Sequence, residues 1–115
     1  MAPPVVELPP HVADVYVTAH ALERLHEHHP NAGWKGALWI LSRCTPLDRA
    51  LVAQFLQRDP RACRDEYFLT PERNGIFVLA PGRGRETDRA RSMVTYLRLS
   101  PWQVELATRL WGQAA

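Results

Sequence analysis

The chain has 115 residues, of which 46% are hydrophobic and 23% charged, and this is enough for one domain with a single hydrophobic core. These proportions exclude a chain that is disordered along its whole length, and no apolar run approaches the roughly 20 residues that cross a bilayer. A formal net charge of +2 also excludes a protein that attracts polyanions through its overall charge alone.

The N-terminus is rich in proline and carries no Lys or Arg before His11, so it does not have the pattern of a secretory signal. We expect residues 1–12 to form a flexible lead-in and residues 13–115 to form a single domain. The two cysteines, Cys44 and Cys63, do not form a CxxC pair. Their spacing favours reduced thiols and a cytoplasmic location, with a disulfide between them as the alternative.

The first predicted elements are a strand and a helix. Residues 14–18 (DVYVT) alternate β-branched and aromatic side chains, which is typical of a short strand. Thr18 then precedes a helical pattern in which Leu22 and Leu25 share a face, and its hydroxyl is a suitable N-cap. The helix is expected to end near His29, because Pro30 disfavours a helical residue before it.

Two more helices are predicted before the strands of the second half of the chain. The first runs from Trp34 to about Arg43 and buries Trp34, although its segment 37–41 (ALWIL) fits a strand as well. The second begins with Thr45 as its cap and Pro46 in its first turn, and continues to about Gln57. Its predicted inward face consists of Leu47, Leu51 and Phe55.

The second half of the chain predicts strands and a final helix. Residues 66–70 and 75–80 form a hairpin through Asn74-Gly75, residues 92–99 form a third strand, and Ser100 and Gln103 form the capping box of a C-terminal helix. Helices and strands are segregated, so the predicted fold is α+β. N-terminal helices pack on one face of a small twisted antiparallel sheet, and the other face stays partly open.

The most suggestive chemical group is His20, near the second position of the first long helix, with Arg24 one turn later on the same face. A helix N-terminus offers amide groups and partial positive charge that suit a phosphate. Arg24 can clamp that phosphate, and an imidazole beside it can take a proton from a ribose 2′-hydroxyl. The alternative is a half-exposed histidine on a polar helix face.

Three further histidines, His26, His28 and His29, lie close together, but they predict a solvated helix end rather than a metal site. No HExxH motif or cysteine pair accompanies them, and histidines at a helix C-terminus interact well with its dipole. We therefore expect neither a metal nor a cofactor.

Two other places carry candidate nucleic-acid contacts. The loop 81–91 contains Arg83 and Arg85, whose guanidinium groups suit a phosphate backbone, and a solvated hairpin connection is the alternative. In the strand 92–99, alternation places Thr95 on the apolar face with Met93, whereas Tyr96 and Arg98 face outward or into a cleft.

Taken together, Val15 to Pro30, the strand ending in GIFVLAP and the segment MVTYLRL resemble the barnase–EndoU–colicin–RelE superfamily of metal-independent ribonucleases. The likeness covers about Asp14 to Leu99, and its short motifs match Thr18, His20, Ala21 and Arg24, then Val94, Thr95 and Leu97.

The resemblance implies an endoribonuclease, toxin-like and restrained by an antitoxin protein, that cleaves RNA by attack of its own 2′-hydroxyl. In this interpretation His20 is the general acid or base, Arg24 binds the scissile phosphate, and Thr95 positions it. Tyr96 and Arg98 are secondary contacts to the RNA. The low net charge is unusual for that superfamily, and a non-catalytic protein- or nucleic-acid-binding module on the same fold is the alternative.

Overall fold

A computed structural model of the chain describes residues 8–59, 61, 65–81 and 91–112. In chain order the elements are α1 (Pro10–Ala13), β1 (Val15–Val17), α2 (Ala19–His26), α3 (Trp34–Ser42), β2 (Thr45–Leu47), α4 (Arg49–Phe55), β3 (Glu66–Leu69), β4 (Gly75–Pro81), β5 (Arg91–Arg98) and α5 (Pro101–Trp111). Helices and strands are largely segregated, which confirms the α+β class. Within the described ranges, no helix is long and apolar enough to cross a membrane.

The five strands form one sheet in the order β1-β5-β4-β3-β2. The pairs from β2 to β5 are antiparallel, as predicted, but β1 pairs with β5 in parallel. The prediction of a purely antiparallel sheet is therefore wrong. Two parallel strands must be joined by a long crossover connection, and here the chain from α2 to β4 connects β1 to β5.

The segment predicted to start the third helix is instead the edge strand β2. Thr45 and Leu47 pair with Leu69 and Tyr67 of β3. Pro46 has no amide proton, which an edge strand tolerates as readily as a first helical turn does. The helix begins one turn later, where the Asp48 carboxylate accepts a hydrogen bond from the amide of Ala50 at 2.7 Å.

Both faces of the sheet are covered, so the predicted open face is wrong. In β4 the side chains of Phe77 and Leu79 enter a core cluster with α1, α2 and α3, whereas Ile76 and Val78 enter a second cluster with α4 and α5. We call these two sides the α2 face and the α5 face. The physical reason lies in β4 itself, because a strand that is apolar on both sides must be covered on both.

Two predicted core residues, Trp34 and Leu51, are exposed. Trp34 is 48% accessible because it is the first residue of α3 and lies ahead of the stripe that this helix buries. Leu51 is 37% accessible because α4 turns Val52 and Ala53 to the core together with Phe55, whose inward position is as predicted.

A β-bulge in β5 changes which residues face which side. Met93 lies opposite Leu79 and Thr95 lies opposite Val78, so Val94 is an extra residue in the ladder. Met93 and Tyr96 consequently both enter the cluster of the α2 face. The predicted alternation, which grouped Met93 with Thr95, breaks at this bulge.

The beginning of the described chain is tied to the core. Residues 1–7 of the predicted lead-in lie outside the described residues. Residues 10–12 belong to α1, where Pro10 suits the first helical turn, and Val12 is buried in the α2-face cluster.

Cys44, directly after α3, is a free thiol. Its Sγ donates to the carbonyl oxygen of Ile40 at 3.2 Å, and burial raises its pKa to about 12. The thiol is therefore protonated and inert at neutral pH. Cys63 lies outside the described residues.

Arg73 holds the C-terminal end of α5 against the β3–β4 turn. Its backbone has φ 62°, and its guanidinium donates to the carbonyl oxygens of Gly112 at 3.2 Å and Trp111 at 3.4 Å. Arg73→Ala is expected to lower the free energy of unfolding by about 1–3 kcal/mol, because these carbonyls lose charged donors. Urea denaturation measures the change. Arg109→Ala, which removes only an exposed ion pair with Glu105, is the control and should cost less than about 0.5 kcal/mol.

Candidate functional site

The start of α2 is fixed against β5 by the predicted N-cap. The Thr18 hydroxyl accepts from the amide of Ala21 at 3.2 Å and donates to the carbonyl oxygen of Met93 at 2.8 Å. The cap at Thr18 is thereby confirmed. His20 follows as the second residue of α2, and its side chain is exposed to solvent.

Arg24 lies one turn further along α2. Its Nη1 is 3.4 Å from Oε1 of Glu27, and both side chains are more than half exposed. An exposed ion pair of this kind contributes little to stability. The guanidinium is therefore able to exchange Glu27 for another anion.

Thr95 lies away from His20 and Arg24. It is half-buried and faces Val78 across the ladder, which places it on the α5 face, whereas α2 covers the other side of the sheet. The hydrogen bonds found among the described residues include none that joins Thr95 to either of the other two.

A cavity of about 530 Å³ lies at the C-terminal end of β5. It brings together Tyr96 and Arg98, two of the predicted contacts, with His28, whose predicted place on a solvated helix end is wrong because its Nε2 is buried. The remaining lining comes from the β3–β4 turn and the start of α5, namely Asn74, Leu99, Ser100, Pro101, Gln103 and Val104.

His28 lies two residues beyond the last residue of α2 and is half-buried. Ala21 and Leu25 are fully buried, and position 28 comes three residues after Leu25, on the side that faces the sheet. The ring centroid of His28 lies 6.2 Å from that of Tyr96, and its buried Nε2 has no hydrogen-bond partner among the described residues. The helical spacing from Leu25 is the signal that could have separated His28 from its neighbours, whereas His29 is exposed.

Tyr96 forms one wall of the cavity and is only 4% accessible. Burial, assisted by the negative charge of Glu72 and opposed by the positive charge of Arg98, raises its pKa to about 12. The side chain is therefore a neutral phenol at physiological pH. Its hydroxyl lies where a Cβ at Gly75 would be, so only glycine admits the ring at this position.

Arg98 and the start of α5 complete the cavity. Arg98 is exposed and lies opposite Gly75, on the same side of β5 as Tyr96. The predicted capping box is present, since Gln103 Oε1 accepts from the Ser100 amide at 2.9 Å and from the Ser100 hydroxyl at 3.0 Å. The partial positive charge of the helix N-terminus thus lies beside a guanidinium and an imidazole.

The other predicted candidates are accounted for as follows. A ring nitrogen of His26 is hydrogen-bonded to the carbonyl oxygen of Ala32, so His26 does not share the surroundings of His28. In the part of the chain that the structure describes, no group of three or more His, Cys, Asp or Glu side chains is arranged to hold a metal ion. Arg83 and Arg85 lie outside the described residues.

Comparison of the chain with protein-family models, with curated proteins and with solved structures gave no match.

Proposed function

We propose that this protein is a metal-independent endoribonuclease that cleaves RNA by attack of a ribose 2′-hydroxyl on the adjacent phosphodiester. The observation that carries the proposal is the exposure of His20 and Arg24 on one side of α2, whose first turn is fixed to β5 by Thr18. An imidazole can exchange protons at neutral pH, and a guanidinium can bind a phosphate through two parallel hydrogen bonds.

In the proposed reaction His20 removes the proton from the 2′-hydroxyl. The 2′-oxygen forms a bond to phosphorus, the bond from phosphorus to the 5′-oxygen breaks, and the leaving oxygen takes up a proton from the imidazolium or from water. Arg24 binds the non-bridging oxygens and offsets the charge that develops on them. The products are a 2′,3′-cyclic phosphate and a 5′-hydroxyl.

The remaining predicted residues have supporting roles in this proposal. Tyr96 and Arg98 bind the RNA strand at the end of β5, and Arg83 and Arg85 stay predicted backbone contacts. Thr95 lies on the α5 face. A positioning role for Thr95 therefore acts through β5 and not by direct contact with the phosphate held on α2.

A second candidate function, a protein-binding module, is favoured by a different observation. Tyr16 and Trp34, which line one cavity together, are 38% and 48% accessible, which is high for large apolar side chains. This surface suits a protein partner, including the restraining antitoxin that the resemblance implies. A module of this kind binds its partner without cleaving RNA.

The proposal is tested with a labelled RNA oligonucleotide and its all-deoxy counterpart, each incubated with purified protein in EDTA. We expect the RNA to be cut into products with 2′,3′-cyclic phosphate ends, as identified by mass spectrometry, and the DNA to stay intact, because it lacks the attacking hydroxyl. Cleavage of both substrates, or RNA products with 3′-hydroxyl ends, would contradict the mechanism. An intact RNA together with an intact DNA would favour the binding module.

A further inference from the structure

We infer that the cavity at the C-terminal end of β5 is a binding site for a phosphate group of the RNA backbone, held by Arg98 and His28 beside the N-terminus of α5. The inference rests on the proposed function and deepens it, because it names a second place where the substrate is bound. Its test, however, requires no cleavage.

The first support is the unsatisfied nitrogen of His28. A buried polar atom without a partner carries a cost in free energy, and native structures contain few of them. The His28 ring lines the cavity, and its χ2 torsion is soft, so a modest rotation turns a ring nitrogen toward a bound group. A phosphate oxygen in the cavity would supply the partner that this nitrogen lacks within the described part of the chain.

The second support is the charge around the cavity. Arg98 places a guanidinium at its edge, and Ser100, Pro101 and Gln103 place the first turn of α5 along its wall. The guanidinium supplies the hydrogen-bond donors for an anion, whereas α5 contributes only the partial positive charge of its N-terminus, because Pro101 has no amide proton and the Gln103 backbone amide is bonded to the Ser100 hydroxyl. Tyr96 remains a neutral donor there, so it adds no negative charge to oppose a phosphate.

One carboxylate works against the site. Glu72 in the β3–β4 turn raises the pKa of Tyr96, whereas Arg98 lowers it. It is exposed, so water and salt weaken its repulsion of an anion. Removing its charge should therefore strengthen phosphate binding and leave the guanidinium in place.

The position of the cavity indicates which phosphate it takes. His20 is the second residue of α2 and His28 lies beyond its last residue, His26, and the helix from 20 to 26 alone extends about 9 Å along its axis. His20 is thus too far away to act on a phosphate bound beside His28. The cavity consequently holds a phosphate further along the strand than the scissile one, and it fixes the register of the RNA over α2.

The experiment measures binding of inorganic phosphate by calorimetry and by the NMR signals of the His28 ring, in a phosphate-free buffer with EDTA. We expect saturable binding that shifts the His28 signals, about 10-fold or more weaker binding in Arg98→Ala, and tighter binding in Glu72→Gln. Arg43→Ala, which removes an exposed arginine at the end of α3, is the matched control and should bind as the wild type does.

A second arm uses a 2′-O-methyl oligonucleotide, which binds as RNA does but cannot be cut by 2′-hydroxyl attack. We expect it to displace phosphate and to bind more weakly to Arg98→Ala than to Arg43→Ala. Phosphate binding that the oligonucleotide does not displace would overturn the assignment to an RNA backbone. Equal affinities of Arg98→Ala and Arg43→Ala, or unshifted His28 signals, would overturn the site. Failure of RNA cleavage alone would bear on the proposed function, because neither arm depends on it.

Discussion

Gly75→Ala is expected to lower the free energy of unfolding by about 2–3 kcal/mol, which is large for the addition of one methyl group. The added carbon would overlap the hydroxyl and ring of Tyr96, which is buried and packs on Phe77 with ring centroids 5.0 Å apart. The ring cannot retreat without leaving the α2-face core. Urea denaturation followed by circular dichroism measures the loss.

Two further variants make the result specific. Gly36→Ala is the matched control: its new carbon meets only the Cβ of Ala32, at 3.4 Å, and alanine is the better helix former by about 1 kcal/mol. It should leave the stability unchanged or raise it. Tyr96→Leu removes the overlapping ring, so adding Gly75→Ala in that background should cost less than about 1 kcal/mol. A Gly75→Ala protein as stable as the wild type would show that Tyr96 does not lie over Gly75.

Elements whose signals are local could be predicted from the sequence. Thr18, Ser100 and Gln103 act as caps because their side chains reach amides within a few residues, and β3 and β4 are joined by the turn that Asn74-Gly75 indicates. Such interactions are determined by neighbours in the chain. They are therefore visible without knowledge of the tertiary structure.

Elements that depend on distant partners could not be predicted in this way. Pro46 fits a first helical turn and an edge strand equally well, and only the pairing with β3 selects the strand. In β5, Val94 becomes an extra residue only in relation to the register of β4. A bulge of this kind reverses the side on which the following residues lie, and simple alternation cannot reveal it.

The candidate site shows the same division. The residue types and their spacing predicted His20 and Arg24 as groups suited to a phosphate, and strand alternation placed Tyr96 and Arg98 outward or in a cleft, where these two do share a cavity. His28 was missed because three neighbouring histidines indicate a polar helix end. Its half-buried position depends on how the end of α2 packs on β5, and the three-residue spacing from Leu25 was the local signal that pointed to it.

His20→Ala is expected to have the largest effect on activity. A positioned acid or base contributes about 100- to 10,000-fold to the rate, and the exposed His20 side chain can be removed without opening a cavity in the core. The variant should therefore fold as the wild type does, and circular dichroism checks this. His29→Ala is the matched control, because it removes another exposed histidine close to the same helix.

The most direct test of the central claim is the rate of RNA cleavage in EDTA by the wild type, His20→Ala and His29→Ala. We expect the wild type and His29→Ala to cleave at the same rate and His20→Ala to be at least about 100-fold slower. Equal rates for all three proteins would show that His20 is not the acid or base. The absence of cleavage by the wild type would contradict the assignment of a ribonuclease.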